Sequence, residues 1–332
     1  MRLRDHIKKY LPSYRTEARL AGKMEKIEKD LREIDNKNEY LFWLSQMQPG
    51  ETMQETKERI FLKMPKATGR LRNIQLAENH ILQRVKDICD ANGLQMFLIG
   101  GTLLGAVRHK GFIPWDNDID IGMMDEDYLK LKELLVNDDE LYTAYYYNYK
   151  AGLKIPKVKY RGTDFFWIDI FKFDYIDADP DVVEAVWNST KEINSAYSSK
   201  IRKLAEANLD KYGGRPLADV NLDESLLEIE KIQKNTFGRF GHGKYFCETL
   251  DSPYWSRNPR GMNLIDDRFP LLKDAVEFEG KKYDVWKNYE DALIHFYGDF
   301  WKLPFSINEP HTSELDEGFD EAIQYLKSKG II

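Results

Sequence analysis

Cysteine is scarce in this chain of 332 residues. Only Cys89 and Cys247 occur, in separate segments, and neither belongs to a Cys-x-x-Cys or Cys/His spacing. That leaves no pattern for a zinc site or a disulfide framework, so two buried or idle thiols in a reducing compartment are expected. Long apolar runs are missing as well. No stretch approaches the about 18 apolar residues of a membrane-spanning helix. The opening MRLRDHIKKYLPSYR also lacks the apolar core of a secretory signal, and a cytoplasmic location is the expectation. Positive charge is in deficit: 49 Lys and Arg stand against 56 Asp and Glu, a net charge of −7. No basic surplus is available to displace counterions, which argues against duplex nucleic acid as the main ligand while leaving room for a local basic face.

What is present is ordinary globular material, 42% hydrophobic and 32% charged, enough for a core that needs no staples. Residues 1–15 form a first region. Arg2, Arg4, Lys8, Lys9 and Arg15 oppose one Asp5, while Leu3, Ile7, Tyr10 and Leu11 fall at helical spacing. Such a basic amphipathic helix suits peripheral contact with an anionic membrane, at its cytoplasmic face, or a turn packed on the domain. Residues 16–65 form a second region. Leu20, Met24, Ile27, Leu31, Ile34, Asn38 and Leu41 alternate steps of four and three, a heptad seam with one polar position. It reads as a homodimer contact through residues 17–44, an antiparallel pairing, or a long helix lying on the body.

Residues 66–332 read as the main domain, of α+β class with an early mixed sheet. Ile74, Ala77, Ile81, Val85 and Ile88 make one helical face, and Gly93 a stop. Met96–Ile99 reads as a strand, Gly100-Gly101-Thr102 as the opening of a helix through Val107, and Asp118–Met123 as a second strand. Acidic residues 125–127 start a helix through Leu135. Segments 141–147, 154–160 and 165–173 are β-rich; helices are expected over 182–209 and 224–237. A hairpin over 275–286 and a closing helix over Tyr289–Tyr297 complete the pattern.

The chemistry concentrates in LIGGTLLGAVRHKGFIPWDNDIDIGM. Two glycines leaving a strand and opening a helix let backbone approach a ligand, and the helix N-terminus offers N–H groups to phosphate oxygens. Asp116, Asp118 and Asp120 alternate, so on a strand they form one row while Ile119 and Ile121 turn to the core. Such a row repels itself and suits a hard cation, Mg²⁺ or Mn²⁺. Asn117 points to the opposite side by the same parity. In FFWIDIFKFD, Asp169 lies between Ile168 and Ile170 and could meet the row from a neighbouring strand. Asp174 and Asp177 read as loop or capping residues. Arg108, His109 and Lys110 follow the helix and are candidates to neutralise phosphate, with Lys157 and Lys159 behind them.

These residues resemble the signature of the LicD family, which includes bacterial phosphocholine transferases and the catalytic domains of fukutin and fukutin-related protein. FFWIDIFKFD and the late FPLLKDAVEFEGKKYDVWKNYEDALIHFYGDFWKLP extend the likeness over roughly residues 70 to 305. The resemblance implies a nucleotidyltransferase-type core. It further implies Asp118 and Asp120 as catalytic metal ligands joined by Asp116, Asp169 as the third carboxylate, and donor contacts from Gly100, Gly101, Thr102, Arg108, His109, Lys110 and Lys159. The expected activity is transfer of a phospho-alcohol from a CDP-activated alcohol to a hydroxyl of a glycan or lipid-linked glycan. Two other readings use the same residues: synthesis of the CDP-alcohol from CTP, and an idle scaffold of a glycan-assembly complex.

Overall fold

A computed structural model describes residues 12–148, 153–163, 165–176, 245–248, 271–303 and 318–332, with isolated positions between 181 and 235. The helices expected over 182–209 and 224–237 fall, apart from those positions, outside the described residues, as do residues 1–11 and Asp177. The chain divides into two compact units: Met1–Lys63 with Trp301–Ser306, and Met64–Phe300 with Ile307–Ile332.

In the first unit the heptad seam lies within a single helix, α1, Pro12–Gln46. Leu20, Met24, Ile27, Leu31, Ile34 and Leu41 are 53–63% exposed. The sequence reading passed over a second helix, α2, Met53–Leu62, although its start is marked by a capping box. The Thr52 hydroxyl accepts from the Glu55 N–H at 3.2 Å, and the Glu55 carboxylate accepts from the Thr52 N–H at 2.8 Å. Trp43, Phe61 and Trp301 form the unit's aromatic contact, with ring centroids 6.0 and 5.8 Å apart.

The second unit opens with α3, Gly69–Asn92, which stops where Gly93 adopts φ 65°. Next come β1 (Met96–Leu98), α4 (Gly100–His109), β2 (Asp120–Met124) and α5 (Asp125–Leu135). They are followed by β3 (Leu141–Asn148), β4 (Leu153–Tyr160), β5 (Trp167–Ile176) and β6 (Tyr245–Glu248). Strands β7 (Leu272–Phe278) and β8 (Lys281–Val285) form the expected hairpin, and α6 is Tyr289–Tyr297 as read. Helix α6 is not the last, however: α7, Phe319–Ser328, follows it, burying Phe319, Ala322, Ile323 and Leu326.

The main sheet runs β1-β2-β5-β4-β3, with β6 also pairing β5. Only β2 and β5 are parallel among these pairs; the others are antiparallel. The α+β class with a mixed sheet is therefore observed. Two local readings need correction. The second strand starts at Asp120, not Asp118, because the ladder to β5 begins at Asp120 and residues 116–119 belong to no strand. Asp174 is a strand residue opposite Cys247 rather than a loop or cap.

Strand alternation divides the sheet residues into two sets. Leu98, Ile121, Ile170, Ile168 and Val158 share one face, and each is 0% exposed. The other face carries Phe97, Phe171 and Phe173, which cluster with Leu271 and Trp286 beside the hairpin. That hairpin is tied to the loop after α4. The Glu279 N–H donates to Lys110 O at 2.9 Å, and a side chain at Gly111 would collide with the Glu279 carboxylate. Burial works to raise the proton affinity of Glu279. Hydrogen bonds from Arg72 at 2.7 Å and Lys66 at 2.8 Å more than offset it, so the carboxyl stays below its usual range.

Ile170 tests how far the site depends on this packing. Ile170→Ala removes a fully buried side chain from the strand that carries Asp169, and should cost roughly 2–5 kcal/mol. Urea denaturation is expected to show a lower midpoint with an unchanged slope.

Candidate active site

The parallel pairing of β2 with β5 sets Asp120 directly beside Asp169, and the antiparallel pairing of β5 with β4 sets Asp169 beside Lys157. Three adjacent strands thus contribute one polar residue each to a single row, at a strand spacing of about 4.8 Å. The Asp169 N–H donates to Ile119 O at 2.8 Å, which extends the pairing one residue before β2. Lys157 Nζ lies 2.5 Å from Asp169 Oδ1, with both side chains largely buried. Its ammonium also sits 4.4 Å from the Trp167 ring centroid, so the charge is held between a carboxylate and an aromatic face.

The glycine turn stands against this row. Gly100 has φ 55°, and a Cβ there would meet Asp120 Oδ2 at 2.8 Å; one at Gly101 would meet Asp116 Oδ2 at 3.0 Å. Side chains at these two positions would push the carboxylates off the start of α4, which is why the turn is Gly-Gly. Thr102 is only 3% exposed. Its hydroxyl accepts from the Asp120 N–H at 2.8 Å, so the structure uses it to hold β2 to α4. Asp116 and Asp118 lie on the irregular segment before β2 rather than on the strand, and their side chains share a hydrogen bond. Asp116 is fixed by its own N–H to Ile113 O at 2.9 Å and by the Gln75 side-chain amide to its carbonyl at 2.8 Å. The parity assumed for Asn117 therefore has no strand ladder behind it; its N–H donates to Asp116 Oδ1 at 3.1 Å.

Crowding shows in the proton affinities. Burial first, then the charge of Asp118 and the hydrogen bond with it, push Asp116 from 3.8 to about 8. Burial, then Asp118, Asp169 and Asp116, raise Asp120 well above its usual value. Asp169 is raised by burial, with Lys157 pulling it back.

A further buried carboxylate was not anticipated from the sequence. Glu78 of α3 is 1% exposed, and burial, then Asp118, raise its proton affinity well above normal, with Lys157 opposing and Asp169 and Asp116 adding. The signal was present. Gln75, Glu78, Leu82, Val85 and Cys89 form a second stripe at steps of three and four, and all five are buried. Its first two members are polar.

The basic candidates are distributed differently. Arg108 is 6% exposed. Burial lowers its guanidinium to about 10, against the pull of Asp299, just past α6, and of Tyr297 at its end. His109 ends α4 and Lys110 caps it in the left-handed region, exposed. Lys159 lies opposite Trp167, on the same side of β4 as Lys157. Cys89 is buried and free, its thiol pushed up to about 12 by burial. A cleft of about 730 Å³ lined by Tyr142, Tyr160, Phe165, Glu321 and Tyr325 contains none of the row carboxylates. Chemistry rather than volume marks the site.

The donor set is all oxygen, buried and self-repelling, which suits a hard divalent cation. Among the described residues no three carboxylates already converge on one point.

Comparison with known proteins agrees with this geometry. Residues 93–212 match the LicD/FKTN/FKRP nucleotidyltransferase domain, a similarity that supports a phosphotransferase enzyme. The lipopolysaccharide cholinephosphotransferase LicD of Haemophilus influenzae is 29% identical over 258 residues, 70% of this chain and 92% of the relative. The ribitol 5-phosphate transferase FKRP of human and of mouse is 44% identical over 50 residues, 15% of this chain and 10% of the relative.

The raised carboxyls set a pH dependence with a definite sign. Between about pH 4 and pH 8 the folded protein keeps a proton on Asp116 that the unfolded chain has lost, so stability falls as pH rises through that window. Thermal unfolding in chelator should show this decline, and Asp116→Asn should flatten it.

Proposed function

We propose that this enzyme transfers a phospho-alcohol from a CDP-activated donor to a hydroxyl of a glycan or lipid-linked glycan precursor. The observation that carries the reading is the cross-strand row of Asp120, Asp169 and Lys157 set against the Gly100-Gly101 helix start. Phosphocholine is the first donor group to test, because the relative matched over 92% of its length is a cholinephosphotransferase.

Asp116, Asp118, Asp120 and Asp169 would hold Mg²⁺ or Mn²⁺, which supplies charge neutralisation of the donor pyrophosphate. The chain supplies the rest. Backbone N–H groups at the start of α4 direct partial positive charge toward phosphate oxygens. The acceptor oxygen attacks the distal phosphorus in line, forming its O–P bond as the bond to CMP breaks. The acceptor proton passes to Asp169, whose raised proton affinity suits that task. Lys157 fixes the orientation of that carboxylate.

The test is product analysis with CDP-choline or CTP and a glycan acceptor. CDP-choline should be turned over with release of CMP, only with Mg²⁺ or Mn²⁺, and Asp118→Asn or Asp120→Asn should each lower the rate by at least about 10²-fold. Full activity in EDTA, or consumption of CTP alone, would overturn the assignment.

The N-terminal unit adds a proposal about placement. The exposed seam of α1 is covered by the same helix of a second copy, with Asn38 setting register, and the basic residues of 1–15 hold the dimer on anionic lipid at the cytoplasmic face. Each basic residue contributes roughly 1 kcal/mol at such a surface, and pairing doubles the attachment. No described helix is long and apolar enough to cross a membrane. Light scattering should give a dimer that Ile27→Lys with Leu31→Lys converts to a monomer. Anionic liposomes should float the full chain at low salt, and fail to float a chain lacking residues 1–15.

A further inference from the structure

We infer that Glu78 of α3 is a working part of the transfer site, a carboxylate that faces the cation held by the aspartates and shares its charge. The inference rests on the metal-dependent reading above and adds a residue outside the matched domain, which begins at residue 93.

Placement is the first argument. Gln75 and Glu78 are one turn apart on the same side of α3. The Gln75 amide reaches the Asp116 carbonyl at 2.8 Å and that of Ile113 at 3.5 Å. Helix α3 packs on β5 and β4, the strands that carry Asp169 and Lys157. Glu78 therefore projects from a helix already bonded to the loop that bears Asp116 and Asp118. The charges acting on it are those of the site: Asp118, Lys157, Asp169 and Asp116.

The second argument is the unfilled atom. Glu78 is 1% exposed, yet its Oε2 has no hydrogen-bond partner among the described residues. Buried polar atoms are ordinarily satisfied, and an unsatisfied carboxylate among like charges is among the costliest groups a core can hold. Its own stripe continues with Leu82, Val85 and Cys89, all 0% exposed. An apolar residue would pack at position 78 without that cost. A carboxylate here becomes favourable once positive charge enters the row, either as a direct ligand of the cation or through a water bound to it.

The experiment uses the full chain and Mn²⁺ alone as the probe. Calorimetric titration gives the affinity, and thermal unfolding is followed in chelator and in excess Mn²⁺. Glu78→Gln keeps shape and hydrogen-bonding capacity while removing the charge. It should weaken Mn²⁺ binding by about tenfold or more, unfold at a higher temperature than the wild type in chelator, and gain less from Mn²⁺. Glu78→Met, run in parallel, should do the same, and serves if the glutamine variant does not fold. Wild-type Mn²⁺ affinity in the folded variant would overturn the inference while leaving the metal-dependent reading intact. So would a variant destabilised equally with and without Mn²⁺, the signature of a purely structural residue. A wild-type protein that binds no Mn²⁺ would remove the metal reading itself, and this inference with it.

Discussion

The parallel pairing of β2 with β5 is the constraint on which the rest of the unit depends. It puts Asp120 beside Asp169 in register, and like charges at that spacing repel. Apolar packing must hold together what electrostatics would separate. The same two strands place Ile121 next to Ile170, one residue on and facing the other way, both fully buried. Because side chains alternate strictly, a slip of one residue would exchange carboxylates for isoleucines on both faces. The buried isoleucines thereby fix the carboxylates' position, and the site's geometry is a by-product of core packing.

The segments around the row brace it from separate parts of the chain. Helix α4 meets it through two glycines, with the Thr102 hydroxyl bonded to the Asp120 amide. The loop after α4 is gripped by the hairpin, through Glu279 N–H to Lys110 O and a Gly111 that leaves no room for a side chain. Arg72 and Lys66 hold the Glu279 carboxylate in turn, which connects the hairpin to the region of α3. The late LLKDAVEFEGKKYDVW segment, read in the sequence as similar to the family's ending, thus has a physical role in this chain. It is the brace of the signature loop, and α6 brings Asp299 within electrostatic reach of Arg108.

Much of this was legible in the sequence where a local rule governs. Gly93 as a left-handed stop, the acidic start of α5, the Glu279-Gly280 hairpin and α6 all lie where turn chemistry and periodicity put them. Errors arose where tertiary pairing decides. Alternating Asp and Ile from 116 to 121 looks like one strand, but the ladder starts only where β5 supplies a partner, at Asp120. Asp174 resembled a cap because its neighbour β6 comes some 70 residues later in the chain. Helix α7 was overlooked although Phe319, Ala322, Ile323 and Leu326 carry helical spacing. Glu78 was missed because the stripe through Ile74, Ala77 and Ile81 is uniformly apolar and accounted for α3 by itself. A residue can be functional on the second buried stripe of a helix, where polarity is the anomaly.

Lys157 shows what the row can and cannot do alone. An ammonium is a single, strongly hydrated charge on a flexible stem, and here its position is set by Asp169 at 2.5 Å and the Trp167 ring at 4.4 Å. It can balance one carboxylate. Asp116 and Asp120 stand on the far side of the row, against the glycine turn, and their raised proton affinities show that Lys157 does not compensate them. A proton neutralises one such carboxylate but brings no net positive charge to a phosphate. A hard divalent cation can do both, because it shares its coordination shell between protein carboxylates and substrate oxygens. The uncompensated end of the row is also the end that stands against Gly100 and Gly101 at the start of α4. On the proposed reading, positive charge at that place would serve a donor pyrophosphate, while Lys157 offsets part of the charge of Asp169 at the other end of the row.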